Sequence, residues 1–419
     1  MDHAATTPLD PRVKSAMEPF LNEDFGNAGG LYEEGRRAKE AMQKSRETIA
    51  KIIGAQPEEI IFTSGGTEAA NLAIFGVANE SLLGDLVHKW RIITTKFEHH
   101  AVLEPCRQLA KKNFDVTFLD VGEGGVVNPE DVKKVLRPET ILVSIMYANN
   151  EIGTIQPIAE IGKIIKEYRA QNKSQYPYFH TDACQAAGYL DLTVNNLGVD
   201  LMTMNGSKIY GPKGIGFLYK RAGVKIKSQI IGGGQEMRTR SGTEPIPLIV
   251  GLAKALEIAQ AEKESESNRL TALRNYFVEN LIKKIPKIIL NGHPTKRLPN
   301  NINVSILDIE GEALVLYLDA KGISFSTGSA CTSESLEPSH VILALGKPYE
   351  FAHASMRFTM GRSTTKKELD YVLSELPNAV RWLRKVSPLN LELGAKSMSH
   401  PEAFAGENLR VKAKSKSYK

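Results

Sequence analysis

The sequence is short of cysteine, of long apolar runs and of net charge, and each shortage excludes a class of protein. Its 419 residues include three cysteines, too few for a disulfide framework, and no two of them form a C-x-x-C pair. The longest apolar runs, such as residues 141–147, are far too short to cross a bilayer. The net charge of +5 is small for this length. We therefore expect a cytoplasmic protein that binds neither a membrane nor nucleic acid directly.

The distribution of charge adds an expectation about the end of the chain. Lysine and arginine alternate with small and polar residues in the last ten positions, where they supply much of the net charge. A run of this kind is typical of a solvated tail that buries no apolar surface. We predict a disordered basic tail over residues 396–419.

The sequence does contain a regular alternation of short apolar runs with amphipathic stretches of helical period. Near-continuous apolar strands that alternate with helices indicate a mostly parallel sheet covered on both faces, and hence an α/β protein. The predicted strands are residues 59–63, 91–95, 116–119, 141–147, 178–182, 201–204 and 216–219. The predicted helices include 35–53 before the first strand, and 68–78, 100–112 and 158–170 between strands.

A chain of this length exceeds the size at which one hydrophobic core stops growing, so two domains are expected. Beyond the last predicted strand come a long amphipathic segment, 252–285, and then a smaller α+β unit closed by a helix over 365–386. We predict a large domain at 13–258 and a small domain formed by 1–12 together with 259–395.

The segment N-G-S-K-I-Y-G-P-K-G at residues 205–214 follows a predicted strand and carries Lys208. Gly206 and Gly211 have the spacing of a P-loop, but Pro212 stands where that motif requires lysine, so a P-loop is excluded. A desolvated lysine has a lowered pKa, and its neutral amine forms Schiff bases. A surface lysine in a turn is the alternative that this segment alone leaves open.

Two further segments lie where a predicted strand ends. Asp182 closes one strand, where a buried carboxylate would suit a protonated ring nitrogen, and a helix-capping aspartate is the alternative. The S-G-G-T-E segment at residues 64–68 offers glycine amides, the Thr67 hydroxyl and a helix N-terminus, which together suit a phosphate group. A plain helix-cap turn is the alternative there.

Cys331 lies among small and polar residues, within F-S-T-G-S-A-C-T-S-E-S-L-E-P-S-H at residues 325–340. Free cysteines are usually buried among apolar neighbours, and this one is not. The pattern favours a thiolate nucleophile on an exposed loop, with an inert loop cysteine as the alternative.

In this order, the segments make the sequence resemble the cysteine desulfurases of the NifS/IscS type, within the aminotransferase class V, fold-type I pyridoxal-phosphate (PLP) enzymes. The resemblance runs from residue 2 to about residue 389. It implies a large domain with a mostly parallel seven-stranded sheet and a smaller α+β domain that carries the cysteine loop. The matching motifs are D-H-A-A-T-T-P at 2–8, F-T-S-G-G-T-E at 62–68, E-H at 98–99, N-N-E-I-G at 149–153, H-T-D-A-C-Q at 180–185, K-I-Y-G-P-K-G at 208–214, R-S-G-T at 240–243, S-T-G-S-A-C at 326–331, E-P-S-H at 337–340 and R-F-T-M-G-R at 357–362.

The resemblance implies a homodimeric enzyme that takes sulfur from L-cysteine and releases alanine. Cys331 would carry the sulfur as a persulfide to an acceptor, such as an iron–sulfur scaffold or a thiolation protein. Lys208 would form the Schiff base with PLP and shuttle protons, while His99 would stack on the ring as a general acid or base. No metal is implied. The other predicted contacts are Asp182 to the pyridinium nitrogen, Gln185 to the phenolic oxygen, Gly66, Thr67, Asn205 and Ser207 to the phosphate, Thr243 to the phosphate from a second subunit, and Asn150 and Arg357 to the substrate carboxylate.

Some positions depart from the family pattern, and other functions of the same fold stay open. Asn205 and Ser207 stand where many relatives have serine and histidine. Selenocysteine lyase, cysteine-sulfinate desulfinase, a small-amino-acid aminotransferase and a scaffold without activity are the alternatives. Cys331 argues against an aminotransferase, which needs no thiol.

Overall fold

Seven short strands form the central sheet of the protein. The computed structural model describes residues 1–84, 89–328, 337–387 and 391. The apolar, β-branched content of these strands buries most of them on both faces, as a sheet covered by two layers of helices requires. In chain order they are β1 (Ile60–Thr63), β2 (Arg91–Thr95), β3 (Asp115–Leu119), β4 (Thr140–Ser144), β5 (Tyr178–Asp182), β6 (Leu201–Asn205) and β7 (Gly216–Lys220).

The strand order in this sheet is β1-β7-β6-β5-β4-β2-β3. Strands β2 to β6 pair in parallel, whereas β7 runs antiparallel to both of its neighbours. The predicted α/β fold with a mostly parallel seven-stranded sheet is therefore confirmed. The parallel direction brings the carboxyl ends of β4, β5 and β6 to one edge, where ligand-binding residues collect in α/β proteins.

The helices begin and end at recognisable sequence signals. The predicted helix over 35–53 ends where Gly54 adopts a left-handed φ of 70°. The predicted helix over 365–386 begins with a capping box that Thr365 and Glu368 form. The described α-helices are α1 (Pro11–Met17), α2 (Pro19–Asn22), α3 (Glu33–Ile53), α4 (Gly66–Gly84), α5 (His100–Ala110), α6 (Pro129–Val135), α7 (Ile158–Asn172), α8 (Val194–Leu197), α9 (Gln235–Arg238), α10 (Ile246–Ala261), α11 (Lys263–Lys284), α12 (Gly311–Asp319), α13 (His340–Ala344), α14 (Tyr349–His353) and α15 (Lys366–Val386), and 3₁₀ turns cover Pro57–Glu59 and Gly206–Lys208.

A second, antiparallel sheet lies in the last third of the chain. Helices α11 and α15 pack on it, and Phe277 and Phe358 meet edge to face in its core, with ring centroids 5.7 Å apart. The predicted smaller α+β unit is thus present, with two short strands that the sequence did not predict. Its strands are β8 (Ile288–Leu290), β9 (Asn301–Ile306), β10 (Ser326–Thr327) and β11 (Ser355–Thr359), in the order β10-β11-β9-β8.

The first ten residues, here called the N-terminal strap, join the two sheets. Asp2 forms an isolated parallel bridge with Thr359 of β11. Further along, the Thr7 amide donates to the Ser207 carbonyl at 3.0 Å, beside the end of β6. The strap therefore runs from the small sheet to the edge of the large one.

The predicted domain boundaries stay a prediction, because one core spans them. Val341 and Ile342 of α13 are fully buried in the same apolar cluster as Phe179 and Phe217 of the large sheet. The predicted tail at 396–419 lies outside the described residues.

Candidate active site

A cavity of about 360 Å³ opens at the carboxyl edge of the large sheet. Asp182 ends β5 and Asn205 ends β6, so parallel neighbouring strands deliver both side chains to one place. Lys208 follows in the 3₁₀ turn after β6. The cavity gathers most of the residues predicted to act: Gly66, Thr67, His99, Asn150, Asp182, Gln185, Asn205, Lys208 and Arg357.

The Lys208 ammonium group lies inside this cavity and not on the surface. Its Nζ donates to the carbonyl of Ala4 at 2.8 Å and to that of Ala5. The Gln185 side-chain amide donates to the same Ala4 carbonyl at 3.1 Å. Lys208 is therefore a half-buried lysine in the turn after β6, and the strap holds its amine at the cavity.

Asp182 is buried, and the backbone just after β5 holds its carboxylate. One of its oxygens accepts from the Cys184 amide at 2.9 Å. Two residues earlier, the neutral ring of His180 lies between the hydroxyls of Ser144 and Thr203, at 2.8 and 2.9 Å, which fixes β5 against both neighbours. Burial lowers the pKa of His180 to about 4, so this ring adds no positive charge beneath Asp182. A protonated ring nitrogen would supply the cationic partner that a buried carboxylate requires.

His99 stands on another wall of the cavity, at the start of α5. Its Nδ1 accepts from the Ala101 amide at 3.1 Å, so the neutral ring carries its proton on Nε2. Burial lowers the pKa of His99, against the opposing charge of Asp182. The ring is therefore neutral at physiological pH, with its orientation and tautomer set by the backbone.

The residue before it, Glu98, is completely buried beneath the site. Burial raises the pKa of Glu98 to about 8. One carboxyl oxygen accepts from the Thr95 hydroxyl and the Met146 amide, each at 2.9 Å, while the other has no hydrogen-bond partner. Glu98 is thus a neutral carboxylic acid at pH 7.

The turn before α4 forms a cradle of the kind that holds a phosphate. Gly66 and Thr67 begin that helix and line the cavity, so their backbone amides and the helix dipole favour an anion. A Cβ at Gly66 would lie 2.7 Å from the Cys184 sulfur and 3.5 Å from the Asn205 amide nitrogen, so only glycine fits. Glu68 accepts from the Ser64 amide of the same turn at 2.8 Å and pairs with Arg240 at 2.9 Å.

Arg357 and Asn150 also line the cavity and contact each other. Arg357 is buried, and its Nη1 donates to the Asn150 carbonyl at 3.0 Å. The Nε of Arg357 and the Oδ1 of Asn150 are buried without a hydrogen-bond partner. Such orphaned polar atoms are costly unless a ligand satisfies them.

Three predicted residues are not placed in this cavity. Ser207 lies beside it, and its hydroxyl donates to the Asn205 side chain at 2.8 Å. Thr243 is exposed and does not line the cavity of its own chain. Cys331 lies outside the described residues.

Comparisons with known proteins agree with this geometry. The aminotransferase class-V family matches residues 1–372. Proteins named cysteine desulfurase IscS from Dictyoglomus turgidum and Methanosarcina thermophila are 51% and 49% identical, covering 94% and 93% of this chain and 97% and 93% of their own lengths. A solved structure described as a NifS-like protein superposes with a TM-score of 0.83 at 37% identity, covering 91% of this chain and 99% of its own. The chain belongs to the cysteine desulfurases of the NifS/IscS type, within the class-V aminotransferases.

Class-V aminotransferases are PLP enzymes, and the cavity of this cysteine desulfurase fits that cofactor. One space is surrounded by an amine, a buried carboxylate and an anion cradle that a single Cβ would obstruct. Within the described part of the chain, no helix is both long and apolar enough for a membrane span.

Several residues that line the cavity of this cysteine desulfurase were not predicted, and two of them are the buried titratable groups Glu151 and His340. Glu151 accepts from the Ser339 hydroxyl, and burial raises its pKa to about 7. The His340 ring donates from Nε2 to the Glu98 carbonyl at 2.9 Å, and burial lowers its pKa to about 4. Both belong to motifs quoted for the family resemblance, N-N-E-I-G and E-P-S-H, so a polar residue inside a matched motif was the available signal.

Proposed function

We propose that this enzyme removes sulfur from L-cysteine, releases L-alanine and holds the sulfur as a persulfide on Cys331. The persulfide would pass to an acceptor protein for iron–sulfur cluster assembly or tRNA thiolation. The observation that carries the proposal is the meeting of Lys208 and Asp182 with Arg357 in one cavity. An amine, a ring-nitrogen partner and a carboxylate site are what a PLP enzyme of amino acids requires.

The cavity residues suggest how PLP and substrate are held. Lys208 would bind the cofactor, Asp182 would keep its ring nitrogen protonated, and Gln185 would contact its phenolic oxygen. Gly66, Thr67 and Asn205 would hold its phosphate. When bound, PLP supplies a ring that accepts electron density from the carbon beside the substrate nitrogen.

The protein's own groups would orient the substrate and move its protons. The Arg357 guanidinium lines the cavity and matches a planar carboxylate. The Lys208 amine would take the proton from the substrate Cα. The Nε2–H of His99 would donate a proton where the departing sulfur leaves negative charge.

Sulfur transfer would use the Cys331 thiolate. Its sulfur attacks the substrate sulfur, so that an S–S bond forms as the substrate C–S bond breaks. The electron pair of the broken bond stays with the substrate carbon, and protonation of that carbon gives alanine. Sequence supports this role, through the small, polar segment around Cys331.

We also propose that the enzyme is a cytoplasmic homodimer. Phe25, Leu31 and Ile231 are 73%, 92% and 85% exposed, and a second copy that covered them would remove apolar surface from water. The resemblance implies that Thr243 of one subunit would contact the phosphate bound by the other. The three cysteines, with none in a C-x-x-C pair, suit a reducing compartment.

The test is an assay of L-alanine and sulfide released from L-cysteine by the PLP-loaded protein, with dithiothreitol present as the two-electron reductant that converts the persulfide to a thiol and sulfide. We expect both products in equal amounts from the wild type and neither with turnover from the Cys331→Ser variant. Lys208→Ala should lose the visible absorbance of bound PLP as well as activity. Cys106→Ser makes the same sulfur-to-oxygen change at a buried thiol outside the cavity and should stay active.

Two outcomes would contradict the proposal. Full sulfide release by Cys331→Ser would exclude that thiol as the sulfur carrier. Selenide, sulfite or a keto acid as the preferred product, measured on the same preparation with the matching substrates, would instead assign one of the related activities.

A further inference from the structure

The N-terminal strap contacts three of the side chains to which the proposed reaction assigns a role. The Ala4 carbonyl accepts from both Lys208 and Gln185. Asp2, the one acidic side chain among strap residues 1–5, pairs with Arg357. This strap has no part in the chemistry so far described, although it touches both the amine and the carboxylate site.

Two anchors hold the Arg357 guanidinium. Its Nη2 donates to Asp2 Oδ1 at 2.9 Å and its Nη1 donates to the Asn150 carbonyl at 3.0 Å. Its Nε has no hydrogen-bond partner. The two anchors therefore fix the plane of the guanidinium at the wall of the cavity that Arg357 lines, and Asp2 is the charged anchor.

Asp2 is itself fixed from two sides. Its Oδ2 accepts from the Ser326 hydroxyl of β10 at 2.6 Å. Its backbone forms a bridge to Thr359, which follows Arg357 by two residues on the same strand, β11. Since β10 also pairs with β11, with Ser326 opposite Arg357, strap, strand and guanidinium form one rigid unit.

We propose that Asp2 is a positioning residue that sets the Arg357 guanidinium for the substrate carboxylate. The carboxylate of Asp2 touches neither the reacting atoms nor the substrate, and acts through the orientation of Arg357. This inference rests on the proposed function, because it assumes an amino-acid substrate at Arg357. Asp2 thus determines affinity for the carboxylate and leaves the chemical step unchanged.

The test compares Asp2→Ala and Asp2→Asn in the full-length, PLP-loaded enzyme. With L-cysteine, we expect KM to rise about tenfold for Asp2→Ala, or ~1.4 kcal/mol. For Asp2→Asn, which keeps an acceptor oxygen without its charge, we expect a two- to fourfold rise. The kcat should stay within a factor of two for both variants.

Two further readouts separate positioning from general damage to the site. L-Cysteine methyl ester lacks the carboxylate charge, so its KM should differ less than twofold between wild type and Asp2→Ala. Binding of the product L-alanine, followed by calorimetry, should weaken in parallel with the KM for L-cysteine. Asp120→Ala is the matched control, because that aspartate is 81% exposed and pairs with Lys96 on the surface.

An unchanged KM for L-cysteine in Asp2→Ala would overturn the inference, and so would equal losses for L-cysteine and its ester. If Asp2→Ala does not fold, Asp2→Asn decides the matter by the same criteria. Failure of the wild type to release alanine from L-cysteine would instead reject the proposed function, so the two failures are distinguishable.

Discussion

The neutral acid beneath the site gives the sharpest stability prediction. Glu98 is fully buried, with a pKa raised from 4.5 in the unfolded chain to about 8 in the fold. Between these two values the folded state binds one proton more than the unfolded state. Rising pH therefore favours unfolding across this window, and the loss is complete above pH 8.

The Glu98→Gln variant removes this titration while keeping a similar shape. Its amide oxygen still accepts from Thr95 and from the Met146 backbone, as the carboxyl oxygen does. One proton corresponds to about 1.4 kcal/mol per pH unit, so from pH 5 to pH 8 the wild type should lose up to about 4 kcal/mol relative to the variant.

The assay is urea denaturation of wild type and Glu98→Gln at about pH 5, 6.5 and 8, each without added cofactor. The difference in unfolding free energy between the two proteins should move steadily in favour of the variant as pH rises. Glu80→Gln, the same substitution at a half-exposed helical position, is the control. A difference that is constant with pH would show that Glu98 is ionised in the fold, and would refute the reasoning.

Two further substitutions test the geometry of the fold and the cradle. Gly66→Ala places a Cβ 2.7 Å from the Cys184 sulfur, so PLP affinity measured by absorbance titration should fall about tenfold, and adding Cys184→Ala should restore part of it. A full loss that the second change leaves untouched would contradict this cause. Glu236→Gln leaves the Arg46 charge buried without its partner, so denaturation should show a loss of about 3 kcal/mol, and under 1 kcal/mol would contradict it.

The fold and most of the cavity were predictable because they depend on local signals. Asp182 and Lys208 stand at or just after strand ends, where apolar runs stop and polar or glycine residues begin. The periodicity also located β4, although it placed the strand end at residue 147 where the structure has Ser144. The discrepancy is small, since the amides of Ile145 and Tyr147 still donate to β5 carbonyls.

The contacts that were not predicted are long-range ones. Asp2 and Arg357 are 355 positions apart, and Glu151 meets Ser339 across 188 positions. The periodic pattern of apolar residues in a helix or strand does not indicate which distant residues pair. The shifted pKa of Glu98 could not be predicted from the sequence either. It arises from burial, which depends on how the rest of the chain packs around Glu98.

Helix α13 has a consequence for any attempt to divide the protein. Val341 and Ile342 fill space in the interior of the larger sheet, although they lie far beyond it in the chain. A truncated protein that ends before Val341 would have a cavity in that core. The C-terminal fragment would expose the side chains of Val341 and Ile342 to solvent. Neither part of the chain completes its core alone, so the two parts have to be expressed as one polypeptide or mixed as complementary fragments.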